Sequence, residues 1–322
     1  MRQEEHNMIH VGFDIGGTNI KAGLVNEKGQ IQIKRNVPFP RESVQACVDT
    51  LDNLIKDMLN EAKLTVKDIA DIGIAVPGSI DPSWSIVVNA YNLGFHDVPL
   101  KAMVSERYPG IPVALANDAN AAALAELYGG AFEGKKTAIL LTLGTGVGGG
   151  IILNGKMFNG GRGNGVEIGH MTLAHKGKPC TCGNKGCFET YCAATALVKA
   201  GKEAFAQDPN GAIAKRAGGK IERVNAKTVV DCAKNGDPVA VAIFDEYIDC
   251  LAQGIASLAD ILDPEVVALG GGVSLAGDFL YEPLKKKVAE KNFFKVEYDV
   301  VPAVMGNDAG TIGAAMLVSN AK

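Results

Sequence analysis

Residues 14–21 read D-I-G-G-T-N-I-K, and residues 143–150 read L-G-T-G-V-G-G-G. Each stretch joins two β-rich apolar runs through glycine and threonine, the composition of a tight turn between strands. Around the first, Met8–Phe13 runs into Asp14, and Ile20–Val25 alternates as a second strand. The Asn26–Gly29 turn then leads to a third, Gln30–Lys34. Around the second, Thr137–Leu143 and Val147–Leu153 are strands, and the Asn154-Gly155 hairpin signal leads to Lys156–Phe158. Strand, glycine–threonine turn, strand, polar turn, strand therefore occurs twice. A duplicated β-meander followed by helices and strands implies an α/β chain of two similar lobes. Two unrelated glycine-rich hairpins would be the competing reading.

Moving outward, Val44–Leu59 carries apolar residues at helical spacing (Val44, Cys47, Val48, Leu51, Leu54, Ile55, Met58, Leu59). Ile69–Val76 is a buried-type strand stopped by Pro77-Gly78, and Ile111–Ala116 is another strand. Asn117-Asp118 opens an alanine-rich helix that ends near Gly129-Gly130. Ala193–Phe205 and Pro238–Ile261 read as helices joined by a polar, Lys-rich stretch. Pro264–Leu269 is a short strand entering Gly270-Gly271-Gly272, and Gly310–Val318 is a small helix. At 322 residues the chain exceeds one comfortable core. The expected division is an N-terminal lobe of residues 1–117, with a helix over 308–322 packing back on it, and a C-terminal lobe of 118–307.

Hydrophobic residues at 47% and charged residues at 21% describe an ordinary soluble globule. A net charge of -4 gives no basic footprint for nucleic acid. No apolar run reaches membrane-spanning length, and the polar start lacks the apolar core of a signal peptide. Seven cysteines are odd for a fully paired secreted chain. The expected compartment is the cytoplasm, with neither nucleic acid nor membrane as partner.

Both glycine tips suit phosphate. Glycine lets backbone N–H groups approach anionic oxygens, and Thr18 and Asn19 add polar contacts. Asp14, at a strand end, can hold Mg²⁺ through water. The spacing is not that of a Walker loop, so a hairpin that merely needs glycine competes. The candidate nucleotide set is Asp14, Gly16, Gly17, Thr18, Asn19 and Lys21, then Gly144, Thr145 and Gly146, with Gly271 approaching a nucleoside. Asp118 reads either as a helix N-cap or as a carboxylate able to accept a hydroxyl proton. The helix dipole favours its ionised form. His170, Cys180, Cys182 and Cys187 lie in one short segment, edged by Glu167 and Glu189, with Gly183 and Gly186 to bend the backbone. Thiolates plus imidazole in a closed set of four suit a structural Zn²⁺, against disulfides or buried thiols as the alternative. The other cysteines (Cys47, Cys192, Cys232, Cys250) read as core.

D-I-G-G-T-N, A-V-P-G-S-I-D, N-D-A-N-A-A-A-L-A-E, L-G-T-G-V-G-G-G, E-I-G-H, C-T-C-G-N-K-G-C-F-E and L-G-G-G-V follow in that order. The set resembles the ROK family (repressors, open reading frames, kinases) over nearly the whole chain, and within it the bacterial glucokinases. The resemblance implies a two-lobed, actin-like (ribonuclease-H-type) ATPase fold and an ATP-dependent phosphorylation of the 6-hydroxyl of glucose. It puts Asp118 on the catalytic base, and Asn92, Asn117, Glu167, His170 and Glu189 on sugar-hydroxyl ligands. Gly16, Thr18, Gly144 and Thr145 fall on the phosphate loops, and Gly271 on the adenosine loop. Kinases for N-acetylmannosamine, N-acetylglucosamine, allose or fructose are the alternatives. The family's repressors carry an N-terminal helix-turn-helix for which the residues before Asp14 leave no space, and a non-catalytic assembly module would leave Asp118 unexplained. A homodimer or homotetramer is the family's usual state. Val166 stands where glycine is usual, and Gly94-Phe95 where an aromatic, often tryptophan, is usual; both bear on which sugar is taken.

Overall fold

The computed structural model describes residues 8–162 and 166–321. The first part runs β1 (Ile9–Ile15), β2 (Asn19–Val25), β3 (Ile31–Pro38), α1 (Val44–Ala62), β4 (Ile69–Val76), β5 (Ser79–Ile80), β6 (Val87–Ala90), β7 (Phe95–Val98), α2 (Leu100–Ser105), β8 (Val113–Asn117) and α3 (Asp118–Leu127). It continues with β9 (Ala138–Leu143), β10 (Val147–Leu153), β11 (Lys156–Met157), α4 (Glu189–Cys192), α5 (Ala194–Gln207), α6 (Ala212–Arg216) and α7 (Ala226–Lys234). Last come α8 (Pro238–Leu262), β12 (Val266–Gly270), α9 (Asp278–Lys291), β13 (Val300–Pro302), α10 (Ala309–Ala315) and α11 (Leu317–Ala321).

Two five-stranded sheets have orders β3-β2-β1-β4-β8 and β11-β10-β9-β12-β13. Numbered within each sheet, both orders are 3-2-1-4-5, so the duplication extends from the meander to the whole sheet. In each, the hairpin partner at the outer edge is antiparallel and the later strands join in parallel. Burial follows that split. Edge strand β3 alternates half-buried and exposed residues, while seven of the eight residues of β4 are buried, as expected for a parallel strand covered on both faces.

The backbone divides into two compact units: one up to Lys136 with Gly150–Val166 and from Val304 on, the other Thr137–Gly149 with Glu167–Ala303. The expected boundary at residue 117 falls inside the first unit, between β8 and α3. Lys322, at the end of the helix expected over 308–322, lies outside the described residues, and that helix is two short ones, α10 and α11. The polar connector expected before α8 contains α6 and α7. Asn225 starts α7: its side chain accepts from Thr228 N at 2.9 Å, and Thr228 Oγ1 accepts from Asn225 N at 3.3 Å. A third sheet, β5-β6-β7, was not expected from the sequence. Its first turn is organised by Asp81, whose carboxylate accepts from the Ser83 hydroxyl and from Ser85 and Ile86 N–H at 2.8 and 2.7 Å. The Ser83 hydroxyl and then these amides hold the Asp81 pKa at about 2. The turn's stability from this source is complete above the ordinary carboxylate range and is lost as pH falls towards that value.

Within the first unit, α1 shows why the pattern becomes a helix. Ser43 Oγ accepts from Ala46 N at 3.0 Å, the buried stripe runs Cys47, Val48, Leu51, Leu54, Ile55, Met58 and Leu59, and Lys63 closes it with φ 57°. Each large apolar side chain so buried contributes about 1.5–3 kcal/mol. On the sheet, Gly23, Gly12 and Gly73 sit in register on adjacent strands β2, β1 and β4. This row is a trough for α10. A Cβ on Gly12 would overlap Thr311 O, one on Gly23 would lie 2.9 Å from Thr311 Cγ2, and one on Gly73 would overlap Ala314 O. On α10 itself, Gly313 meets the Ala121 carbonyl of α3 in the same way. The far end of α3 is fixed by Glu126, 1% exposed, which accepts from Ala131 N at 2.8 Å and from Val304 and Met305 N at 2.9 Å.

Among the described residues no helix is long and apolar enough to cross a membrane. The glycine trough makes a direct prediction. Gly73→Ala should lower unfolding free energy by about 3 kcal/mol, at the upper end of overpacking costs. Gly161→Ala, at a position with open space, should cost under about 1 kcal/mol. Urea unfolding of the two variants measures the difference, and equal midpoints would contradict the close approach of α10.

Candidate active site

In the first unit β1 and β2 meet at Gly16–Thr18. Gly16 N donates to Asn19 O at 2.8 Å, closing the turn. Two carbonyls of the tip are tied: Gly17 O accepts from Arg41 Nη2 at 2.8 Å, and Thr18 O from Phe39 N at 2.8 Å. Thr18 is exposed, as an anion contact requires. Asp14 and Lys21 face each other across the β1–β2 ladder, with Lys21 Nζ donating to Asp14 Oδ2 at 3.2 Å and to Asn307 O at 3.0 Å. The N-terminus of α10 comes close as well, since a Cβ on Gly310 would lie 2.6 Å from Asp14 Cγ. Asn19 Nδ2 donates to Asn36 Oδ1 at 2.9 Å, so part of that side chain is committed to the hairpin.

The β8–α3 junction removes the cap reading of Asp118. Asn117, not Asp118, is the N-cap: its Oδ1 accepts from Ala119 N at 2.9 Å while its Nδ2 donates to Gly78 O at 3.1 Å. Asp118 is the first helical residue and is exposed, with Oδ1 accepting from Ala119 N at 2.9 Å. A carboxylate here sits in the positive end of the α3 dipole, which favours its charged form. Asn92 is exposed in the turn Tyr91–Leu93, and Gly17 packs on it, 3.2 Å from where a Gly17 Cβ would be. Gly94 ends that turn with φ 69°, and Phe95 is buried, its ring 6.0 Å from that of Phe39. Phe95 therefore belongs to the core of its unit, and Gly94 is there because the backbone turns left-handed.

In the second unit the β9–β10 tip, Gly144–Gly146, is held the same way. Gly144 N donates to Gly146 O at 3.0 Å, Gly144 O accepts from Ala194 N at 2.8 Å, and Thr145 O accepts from Thr195 Oγ1 at 2.9 Å. Glu189 Oε2 accepts from Val147 N at 3.0 Å, so the start of α4 is tied to the hairpin. Gly271 follows β12 with φ 86°, and a Cβ there would overlap Leu143 O. Only glycine meets both conditions. Ser274 Oγ donates to Gly271 O at 2.7 Å and fixes the loop.

The cysteine segment folds into a knuckle. Thr172 pairs with Cys187 and Pro179 with Lys185, and Cys180 N donates to Asn184 O at 2.9 Å. His170, Cys180, Cys182 and Cys187 offer ligand atoms that all lie within 4.8 Å of one another. Cys180 Sγ is 3.7 Å from His170 Nδ1, and Cys182 Sγ is 3.6 Å from Cys187 Sγ. None of the seven cysteines is in a disulfide. The thiols are in unequal surroundings: burial pushes Cys187 up to about 12, while the Asn184 backbone lowers Cys182. Glu167 is exposed just before the turn Ile168–His170, and that turn lies on β10, where a Gly169 Cβ would overlap Val147 O. Phe188, fully buried, anchors the knuckle against Gly254 of α8. Of the remaining cysteines, Cys47, Cys192 and Cys232 are buried and Cys250 is only half-buried.

The model of the ROK family matches residues 10–321. The chain belongs to the ROK family. It is 37% identical over 320 residues to a glucokinase of Halalkalibacterium halodurans, covering 96% of this chain and 94% of the relative. It is 30% identical to an N-acetyl-D-glucosamine kinase of Histophilus somni, over 96% of this chain and 98% of the relative. A solved ROK glucokinase from Streptomyces griseus, in complex with glucose and AMPPNP, superposes with a TM-score of 0.77 at 34% identity, covering 96% and 98% of the two chains. The architecture is accordingly the two-lobed, actin-like ATPase fold of the family.

In this ROK chain the first unit carries Asp14, Gly16, Gly17, Thr18, Asn19, Lys21, Asn92, Asn117 and Asp118. The second carries Gly144, Thr145, Gly146, Glu167, His170, Glu189, Gly271 and the three knuckle cysteines. Sequence reasoning missed the side chains that hold the tips and the Gly271 loop: Arg41, Thr195 and Ser274. Arg41 and Thr195 sit in no turn or cluster pattern, and Ser274 only trails the glycine run, so the fold alone shows what they hold. The cap assignment is testable. Asn117→Ala should destabilise by about 1 kcal/mol, and Asn117→Asp by a few tenths, in thermal unfolding. The reverse order would mean Asn117 does not cap α3.

Proposed function

We propose that this ROK sugar kinase transfers the γ-phosphoryl group of ATP to the 6-hydroxyl of glucose, with Asp118 as general base. The observation that carries the reading is the near full-length likeness to a ROK glucokinase whose structure holds glucose and AMPPNP. The local chemistry agrees with it. The two glycine–threonine tips present backbone N–H groups to phosphate oxygens, and Asp14 with Lys21 lies beside the first. Mg²⁺ bound with the triphosphate would reduce its charge. Phosphoryl transfer has a loose transition state, so Asp118 chiefly orients the attacking hydroxyl and accepts its proton late.

Asn92, Asn117, Glu167, His170 and Glu189 are proposed to fix the sugar hydroxyls. The knuckle's donor set fits structural zinc: three thiols and an imidazole, close enough to share one ion and with no position left open. When bound, zinc would supply order rather than reactivity. His170 then has divided duties, with Nδ1 facing Cys180 and Nε2 left for a hydroxyl. Glu189 likewise spends one oxygen on Val147 N and keeps the other for sugar.

A second reading, transfer to N-acetylglucosamine, is supported by the Histophilus somni relative, and Val166 beside Glu167 leaves room for it. N-acetylmannosamine, allose and fructose belong in the same test. A coupled assay of ADP release over these hexoses should give glucose the highest kcat/KM. Turnover of none of them by folded protein would end the kinase reading. Asp118→Asn should cut kcat by about 10²–10⁴-fold while glucose affinity measured by calorimetry stays near wild type. Retained turnover would put the base elsewhere. Cys182→Ser should lose zinc by elemental analysis and weaken glucose binding; normal binding by metal-free protein would remove the structural role.

A further inference from the structure

The two phosphate tips are built on one device. In a trans peptide the carbonyl of one residue and the N–H of the next point in opposite directions, and the described chain has no cis bond. Pinning a carbonyl to the body of its unit therefore aims the following N–H away from that contact. In the first tip Gly17 O is pinned by the Arg41 side chain and Thr18 O by the Phe39 amide. In the second, Gly144 O is pinned by the Ala194 amide and Thr145 O by the Thr195 hydroxyl. Each tip thus has one backbone pin and one side-chain pin.

The weak point is the Thr145–Gly146 peptide. Its carbonyl is held by one exposed hydroxyl, and the residue that follows is glycine, which tolerates either orientation. A flip would turn a carbonyl oxygen towards the position meant for an anion and withdraw an N–H from it. The neighbouring peptides cannot move in compensation, because Gly144 is tied at both its N–H and its carbonyl, and Val147 N is held by Glu189.

We propose that Thr195 is a positioning residue for the nucleotide: its hydroxyl holds the Thr145–Gly146 peptide so that Gly146 N–H faces the phosphates. This rests on the kinase reading above. Thr195 does not itself touch the phosphates and acts only through the tip.

The test is calorimetric titration of Mg²⁺–AMPPNP into the full chain, alongside steady-state kinetics. Thr195→Val keeps the shape and removes the donor, and should weaken AMPPNP binding and raise KM for ATP about fivefold, the worth of one neutral hydrogen bond. Glucose KM and the melting temperature should stay at wild-type values, and Thr195→Ser should restore nucleotide binding. Unchanged AMPPNP affinity in Thr195→Val overturns the proposal, as does a Thr195→Ser variant that fails to recover. Equal losses of nucleotide binding, sugar binding and melting temperature would make Thr195 a folding residue and also overturn it. A wild-type chain that binds no AMPPNP would instead strike the kinase reading, so the two failures are distinguishable.

Discussion

The first unit depends on one close approach, that of helix α10 to a row of glycines on its sheet. Gly23, Gly12 and Gly73 lie side by side across three strands, and α10 occupies the space their side chains would fill, with its backbone at Gly12 and Gly73 and with Thr311 Cγ2 at Gly23. Where backbone packs on backbone, at Gly12 and Gly73, there is little soft side chain to absorb an error, so the position of α10 is closely constrained. Two consequences follow. Gly310 places the start of α10 against Asp14, and Gly313 places its middle against α3. The acid at the tip of β1 and the helix that carries Asp118 are thereby referred to the same rigid element, although they lie about a hundred residues apart in sequence.

Much of this was legible in the chain because the informative residues work locally. A glycine–threonine turn between two apolar runs, or Asn-Gly at Asn154-Gly155, specifies a hairpin whatever surrounds it. Both meanders and the ends of β4 and β10 were readable for that reason. The sheet β5-β6-β7 was not: β5 is two residues long, too short for alternation to register, and its turn depends on a side-chain network around Asp81. Helix α7 was hidden by its charges, since Lys227 lies on the same helix as Asp231, which it pairs with, and reads as a polar linker. The glycine trough was also hidden. Gly12, Gly23 and Gly73 are single glycines within strands, and only register brings them together.

The same split holds at the candidate site. The glycine tips and the knuckle announce themselves by composition, because the phosphate and zinc roles proposed for them call for open backbone and clustered thiolates. What makes those groups work is supplied by residues with no motif. The carbonyls at both tips are tied by Arg41 and Thr195, which lie 24 and 50 residues away along the chain. Glu189 joins the categories: sequence marks it as an acid beside cysteines, yet its nearest fixed partner is the amide of Val147, on the hairpin. The knuckle and the second tip are therefore one mechanical piece.

The Asn117-Asp118 pair shows how the backbone can divide labour between adjacent polar residues. A helix start demands an acceptor for its first free amides, and either side chain could serve. Had Asp118 been the cap, its carboxylate would carry the capping bonds to the amides two and three residues on; as it is, Asp118 Oδ1 shares the Ala119 amide with the cap. With Asn117 one position earlier, a neutral amide does the capping, accepting from Ala119 N and reaching Gly78 O with its other end. Asp118 is then the first residue of the helix proper and stays exposed. The N-terminal end of α3 favours negative charge there, and exposure spares it the cost of burying one. The base proposed above needs little more than a fixed place beside the cap, and Asn117 secures that place.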